Sequence, residues 1–224
     1  MKNRFIKFLM ICILAIGAGS YVSQVFISSQ SGQTAYAKKY KWHTLAYEKH
    51  FARKHWKWKN RSKKYASNFG DDCTNYASQL ANVGKYRRTS AGGMVIKGRS
   101  FSNNKWYSYK KKGAHGGRIY SSSWTKVDDI WSYFVLHLGK KSYQSSKQSY
   151  IRRKAAPGDL LQFWDRNDGW FHSVTIYSKS KKDVYYTAHT NSFLHKALRN
   201  ANHGRSKGQR IRAYRVVKMG VRKH

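Results

Sequence analysis

Asp71-Asp72-Cys73-Thr74-Asn75-Tyr76 is the stretch that decides the fold, because it places a cysteine where a turn runs into a helix. The pattern predicts a helix over 72–83, with Asp71 or Asp72 as its N-cap and Gly84 just past its end. Cys73 then falls in the first turn, where unpaired backbone N–H groups and the helix dipole favour a thiolate. We therefore expect the pKa of this thiol to lie below that of a free cysteine.

Cys73 is one of two cysteines in the chain, and the other, Cys12, lies in an apolar N-terminal segment. A lone thiol that cannot form an internal disulfide in an exported protein needs another explanation, and nucleophilic catalysis is the leading one. The alternative is an inert, buried cysteine that acts as a small hydrophobic residue.

The N-terminal residues have the three parts of a secretory signal. Met1-Lys2-Asn3-Arg4 carries positive charge, the run 8–19 is apolar, and Ala35-Tyr36-Ala37 is a small-x-small cleavage site. We assign 1–37 to a signal segment and expect a protein that is secreted or associated with the cell wall. An uncleaved membrane anchor is the alternative, because residues 21–27 could extend the apolar run.

The charge of the chain indicates its partners. It has 45 Lys and Arg residues against 9 Asp and Glu, a formal net charge of +36. Such a charge favours polyanions, and the signal segment points to anionic wall polymers such as teichoic acid, with nucleic acid bound only as a non-specific polyanion. Eight Trp and seventeen Tyr argue for a folded domain rather than a disordered basic tail.

The chain divides into an arm and a main domain. Residues 38–64 predict one or two basic amphipathic helices, which we assign to an N-terminal arm, and 65–224 form the main domain. Residues 85–123 predict long loops, whose aromatic residues either line a substrate groove or cover the core. A second helix is predicted over 123–138, followed by a basic connector over 140–154.

Strand candidates dominate the C-terminal part. They are the run after Pro157-Gly158-Asp159, then 172–177, 183–190 and 210–217. Helices followed by a meander of strands indicate the α+β class, with N-terminal helices packed on a C-terminal antiparallel sheet.

His172 heads an alternating, β-branched run downstream of Cys73. A cysteine hydrolase needs a thiolate, a neighbouring imidazole, and a polar group that orients the imidazole. Cys73 and His172 can fill the first two roles. The alternative for His172 is a core histidine without a catalytic role.

The strand pairing expected after His172 predicts which polar residue orients the imidazole. With Ser178 opposite Asp183, the antiparallel register can be counted back along both strands. The count brings His172 opposite His189, close enough for one ring to orient the other. Asn191, diagonal on the same face, is the alternative orienting residue. No H-E-x-x-H or paired-cysteine spacing is present in the sequence, so neither a metal nor a cofactor is expected.

Five segments carry a resemblance to a known family. They are Asp72-Cys73-Thr74-Asn75-Tyr76-Ala77-Ser78-Gln79, Ser123-Trp124-Thr125-Lys126-Val127, Gly158-Asp159-Leu160-Leu161-Gln162-Phe163, His172-Ser173 and Ala188-His189-Thr190. Together they resemble the putative amidase domain family of secreted bacterial proteins, which belongs with the NlpC-type and CHAP-type papain-like cysteine hydrolases. The run Ala81-Asn82-Val83-Gly84 departs from the Ala-Gly-Gly more often found in that family.

The resemblance implies a papain-like fold and a Cys-His-His constellation, with Cys73 as nucleophile, His172 as base and His189 as the orienting residue. It also implies that the substrates are peptide or amide bonds of peptidoglycan. The alternative hypothesis is a non-catalytic cationic module that binds an anionic wall polymer or nucleic acid on the same scaffold. The sequence predicts no dedicated protein partner, and it assigns no substrate-binding residues.

Overall fold

The computed structural model describes residues 45–57, 62, 64–65, 70–84, 86–92, 95–96, 99–100, 104–110, 118–201 and 210–220. The assigned signal segment, 1–37, and the start of the assigned arm lie outside the described residues. Among the residues described, no helix has both the length and the apolar character needed to cross a membrane.

The described helices are, in chain order, α1 (Leu45–His55), α2 (Cys73–Val83), α3 (Ser122–Thr125), α4 (Val127–Trp131) and α5 (Gln148–Lys154). A π-helical segment, Ser132–His137, continues α4, and a 3-10 turn, Leu198–Asn200, lies further along the chain.

The described strands form two sheets. They are β1 (Val95–Ile96), β2 (Arg99–Ser100), β3 (Ser108–Lys110), β4 (Arg118–Ser121), β5 (Ser142–Ser145), β6 (Leu160–Asp165), β7 (Gly169–Lys179), β8 (Val184–Ala188), β9 (Phe193–Ala197) and β10 (Ala213–Val217). The small sheet has the order β1-β2-β4-β3, and the main sheet has the order β5-β10-β6-β7-β8-β9 with antiparallel pairing throughout. The α+β class, with N-terminal helices and a C-terminal antiparallel sheet, is confirmed.

The main sheet is buried on both faces, which explains why β6 is almost continuously buried. On one face, Leu160 joins a cluster with Ala77 of α2 and Phe134 of the π-helical segment. On the other face, Leu161 joins a cluster with Ile151 of α5. Burying a side chain of this size stabilises the fold by about 1.5–3 kcal/mol, so the two helical layers hold the central strands in place.

Helix α1 packs on α2. Ala52 is almost fully buried and forms a small cluster with Tyr76 and Leu80, and the Phe51 ring packs against this cluster. The helix predicted for this part of the chain is therefore present, with its apolar residues turned towards the domain. The boundary between an arm and a main domain at residue 64 stays a prediction.

The basic connector predicted over 140–154 is wrong, because these residues form strand β5 and helix α5. Ile151 is fully buried, and Tyr143 and Tyr150 pack against the same cluster. Strand β5 pairs with β10, which is distant in sequence. Local composition could not predict an edge strand whose stability comes from a remote partner.

The long loops predicted over 85–123 contain the small sheet. Trp106 and Tyr107 are fully buried, and Trp106 belongs to the core cluster below the main sheet. The structure therefore favours the interpretation that Trp106 and Tyr107 cover the core instead of lining a groove. Tyr109 and Tyr120 are half-buried.

Candidate active site

Helix α2 begins at Cys73, and its first turn lies against strand β7. The Thr74 hydroxyl donates a hydrogen bond to Ser173 Oγ across 3.0 Å, and the backbone N–H of Ser173 donates to the Cys73 sulfur. Cys73 has 6% of its surface exposed, and Ser173 is fully buried. His172 is therefore the chain neighbour of the residue that binds the thiol.

Burial raises the pKa of the Cys73 thiol, because a buried thiolate loses its hydration. The backbone N–H groups of Ser173 and Thr74 oppose this effect, and so does the Thr74 hydroxyl, 3.7 Å from the sulfur. The net direction is upward, so the expectation of a lowered pKa is wrong, although the predicted place of Cys73 in the first turn is right. At neutral pH the resting group is the neutral thiol.

His172 lies within β7 and has 5% of its surface exposed. It pairs with Phe163 of β6, and the two ring centroids lie 6.0 Å apart with an interplanar angle of 10°. The Phe171 ring centroid lies 6.2 Å away. The β6–β7 register shifts between Phe163 and Trp164, and such an irregularity re-aims side chains at the end of a strand. Aromatic packing therefore fixes the orientation of this imidazole on β7, next to Phe163.

His189 follows β8 and lies beside the start of α2. Its Nδ1 is 2.6 Å from Asp72 Oδ2, and its Nε2 is 2.7 Å from the carbonyl oxygen of His55, the last residue of α1. Its ring stacks on Tyr76 with 3.7 Å between the centroids and 5° between the planes. Three segments that are far apart in sequence therefore meet at this histidine.

Both partners of His189 are hydrogen-bond acceptors, a carboxylate oxygen and a backbone carbonyl oxygen. The side chains of His189 and Asp72 are each 1% exposed. Asp72 stands at the N-cap position of α2, but its carboxylate binds His189 and the Asn75 amide instead of capping the helix. This pair ties the turn after β8 to the residue that precedes Cys73.

The pairing of His172 with His189 predicted by strand counting is wrong. Ser178 lies opposite Tyr185, not Asp183, and the β7–β8 register shifts between Ile176 and Ser178. Beyond this bulge Thr175 lies opposite Thr187. Continued past the end of β8, this register would bring His189 opposite Ser173, one residue from the predicted partner. The slip arises because the four-residue loop is 180–183 instead of 179–182 and a bulge interrupts the pairing, and neither feature could be seen in the sequence.

The turn after His189 carries backbone strain. Thr190 has φ +76°, which is unusual for a β-branched residue. Its hydroxyl accepts a hydrogen bond from the backbone N–H of Asp72 across 3.2 Å, which fixes the turn on the start of α2. Asn191 is exposed in the same turn, and its role as the alternative orienting residue stays a prediction.

A buried chain of polar side chains extends from the thiol across the sheet. Gln162 Nε2 donates to Ser173 Oγ across 2.9 Å and to the Val127 carbonyl across 2.7 Å, and its Oε1 accepts from Arg215 Nε across 2.6 Å. Arg215 in turn donates to Asp128 across 2.8 Å. Burial lowers the pKa of Arg215 to about 10, while the Asp128 carboxylate opposes the shift, so the guanidinium stays charged at neutral pH.

The hydrogen-bonding roles of Ser173 and Gln162, and that of Asp72 as the partner of His189, were not predicted from the sequence. The available signal was polarity: Gln162 interrupts the apolar run of β6, and Ser173 follows a histidine at the head of β7. Within the described part of the chain, no group of three or more His, Cys, Asp or Glu side chains is arranged to hold a metal ion.

The sequence profile described as "Putative amidase domain" matches residues 29–214. The chain therefore belongs to the putative amidase domain family, and this membership supports an amide-bond hydrolase. Comparison with curated proteins and with solved structures finds no match to the chain.

Proposed function

We propose that the protein is a cysteine-dependent amidase or endopeptidase, with Cys73 as nucleophile and His172 as base. The observation that best supports this proposal is the hydrogen bond from the Ser173 N–H to the Cys73 sulfur. It sets the thiol at the start of α2 against the strand position next to His172. Family membership supplies the reaction type, since an amidase cleaves a C–N amide bond.

The raised pKa of Cys73 determines the order of the proposed steps. Because the resting thiol is neutral, His172 takes its proton as the sulfur attacks the amide carbonyl carbon. The tetrahedral intermediate collapses with cleavage of the C–N bond, and His172 returns the proton to the leaving amine. A water molecule, deprotonated by His172, then attacks the thioester and releases the carboxylic acid and the thiol. We assign the oxyanion contact to the backbone N–H of Cys73.

His189 takes the third place in this proposal by holding the start of α2. Its two ring nitrogens bind Asp72 and the His55 carbonyl, so it fixes the residue before the nucleophile. Positioning of this kind matters because a displacement of about 1 Å can cost about 100-fold in rate. The Thr190 hydroxyl, bound to the Asp72 N–H, reinforces the same contact.

We further propose peptidoglycan as the substrate and the cell wall as the place of action. The net charge of +36 favours a location on an anionic polymer, and the signal-like N terminus favours export. Peptide stems of peptidoglycan supply amide bonds, and anionic wall polymers such as teichoic acid supply the negative charge.

The test is digestion of purified Gram-positive peptidoglycan by the protein and by its Cys73→Ser variant, with released fragments and new amine ends identified by mass spectrometry. We expect new ends only with the intact thiol, and their identity gives the bond that is cut. Lys126→Ala, an exposed residue between α3 and α4, is the control and should cleave normally. Equal release by the protein and by Cys73→Ser would refute cysteine catalysis.

The second candidate function is a non-catalytic module that binds an anionic wall polymer or nucleic acid. Two observations favour it: the large positive charge and the burial of Cys73, which keeps the thiol neutral. It predicts wall binding that falls steeply with salt and is the same in Cys73→Ser, with no new amine ends from either protein.

A further inference from the structure

A cleft of about 460 Å³ lies between helix α5 and the β7–β8 hairpin. We call it the cationic cleft, and its lining residues are Ser149, Arg152, Arg153, Lys179, Ser180, Lys181, Lys182 and Asp183. Five of these eight side chains are cationic and one is acidic. The cleft therefore concentrates positive charge in a concave surface instead of spreading it over a convex one.

The acidic member of the cleft is already neutralised. Asp183 is buried, and its carboxylate accepts a hydrogen bond from the Val184 N–H across 2.8 Å. It also forms ion pairs with Arg199 at 3.1 Å and with Arg152 at 3.9 Å. Its charge is directed into the protein, so it does not repel an anion in the cleft.

The carbonyl groups at the end of α5 are also satisfied. A helix C-terminus normally repels anions because its last carbonyl oxygens carry partial negative charge. Here the Lys179 ammonium donates to the carbonyls of Arg153 at 3.2 Å and Ala155 at 2.9 Å. The Lys218 ammonium donates to the Lys154 carbonyl at 2.9 Å. The repulsion is thereby offset, and Arg153, Lys181 and Lys182 are exposed for binding.

We propose that the cationic cleft binds the phosphodiester groups of a polyol phosphate chain of the teichoic acid class. Guanidinium groups bind phosphate oxygens in a bidentate manner, and lysine ammonium groups add point charges. The exposed Ser149 hydroxyl can hydrogen-bond to the polyol, whereas the Ser180 hydroxyl is bound within the hairpin loop. The eight lining residues include no aromatic ring, whereas single-stranded nucleic acid sites stack bases on aromatic side chains.

The cleft lies at the other end of β7 from the candidate active site. Ser173 and Lys179 are six positions apart along the strand, which corresponds to roughly 20 Å at 3.3 Å per residue. A polymer held in the cleft therefore leaves the Cys73 region accessible. The proposal rests on the proposed place of action at the cell wall, but it does not depend on whether Cys73 is catalytic.

The test uses binding of poly(glycerol phosphate) to the protein, measured by calorimetry at several salt concentrations. The cleft variant combines Arg153→Gln, Lys181→Gln and Lys182→Gln, all exposed positions. The matched control removes the same charges elsewhere, with Arg53→Gln, Lys54→Gln and Lys126→Gln, which are also exposed. We expect the cleft variant to bind about tenfold or more weakly. The slope of log K against log salt concentration should become shallower by about two. The control should keep nearly the full affinity.

Three outcomes would overturn the proposal. Equal loss of affinity in the two variants would indicate diffuse charge rather than a site. Single-stranded DNA that binds as tightly as poly(glycerol phosphate), with the same loss in the cleft variant, would indicate a general polyanion site. Preferential binding of anionic phospholipid vesicles would indicate a membrane surface. Cys73→Ser should bind the polymer normally, and the cleft variant should cleave soluble peptide fragments normally, which separates this test from that of the proposed function.

Discussion

The two ends of strand β7 are built on different principles. At its start, His172 and Ser173 are buried, and Ser173 is bound by Thr74 and Gln162 and contacts the Cys73 sulfur. At its end, Lys179 is exposed and faces a cleft of charged side chains. The proposed role of the first region depends on the exact positions of a few hydrogen-bonded atoms. The proposed role of the second depends on the total charge of its side chains.

This difference determines how each region responds to a substitution. A buried hydrogen-bonded group leaves its partners unsatisfied when it is removed, at a cost of about 1–3 kcal/mol each. An exposed charge is screened over about 8 Å at physiological salt, and its neighbours partly replace it. Single changes should therefore be severe at the start of β7 and mild at its end.

The largest effect is expected for His172→Gln. Loss of the proposed base should lower kcat/KM for peptidoglycan fragments by about 10²–10⁴, as measured by release of amine ends. His50→Gln, at an exposed position of α1, is the control and should retain full activity. Full activity in His172→Gln would remove His172 from the proposed mechanism and direct attention to His189.

The next effect concerns stability at the start of α2. His189→Gln should lower the free energy of unfolding by about 3–5 kcal/mol, because it leaves the buried Asp72 carboxylate without its histidine partner. Denaturant titration measures this loss. His50→Gln, exposed on α1, is the control and should change stability little. A loss below about 1 kcal/mol would argue that the Asp72–His189 contact does not hold the helix in place.

Gln162→Leu should have a smaller effect on stability. The substitution keeps the volume of the side chain but removes one buried hydrogen bond each from Ser173, Arg215 and the Val127 carbonyl, which should cost about 1–3 kcal/mol. Gln144→Leu, on the exposed side of β5, is the matched control. Equal stability of the two variants would show that the buried polar chain contributes nothing measurable.

The pH dependence of thiol alkylation tests the electrostatics of Cys73. Because burial raises its pKa, the native thiol should react at a midpoint of higher pH than the same thiol in denaturant, and more slowly at neutral pH. Iodoacetamide rates in a Cys12→Ser background measure this. A native midpoint below the denatured one would mean that the helix N-terminus and a neighbouring imidazole outweigh burial.

The smallest effect is expected at the other end of β7. Lys181→Ala removes one of several exposed charges and should change the free energy of unfolding by less than about 0.5 kcal/mol. Cleavage of soluble peptide fragments should be unchanged. A loss of more than about 1 kcal/mol, measured by denaturant titration, would mean that the hairpin contributes to the fold and not only to the charge.

The strands and helices with strong local patterns could be predicted from the sequence. The helix at Cys73 and the strands at His172 and 184–188 were predicted because apolar periodicity and turn residues surround them. The contacts at the candidate site could not be predicted in this way, because the β7–β8 register depends on a bulge near Tyr177. The local amino-acid composition does not indicate such a bulge. Strand β9, Phe193–Ala197, was not predicted from the sequence.

The predicted pKa of Cys73 failed for a related reason. The position of Cys73 in the first turn of a helix is local and could be predicted, but its burial depends on β7, almost one hundred residues away. Sequence patterns show which donors adjoin a thiol, and they do not show how much water reaches it. Desolvation was the larger effect here.

The hydrogen bond from His189 to the His55 carbonyl has a consequence for any attempt to dissect the protein. That carbonyl belongs to the last residue of α1, so a fragment that starts at Tyr65 would lack an acceptor that the turn after β8 uses. Helix α1 also fills the space over Tyr76 and Leu80. The smallest unit that we expect to be expressed in soluble form and to purify as a stable domain therefore begins before Leu45.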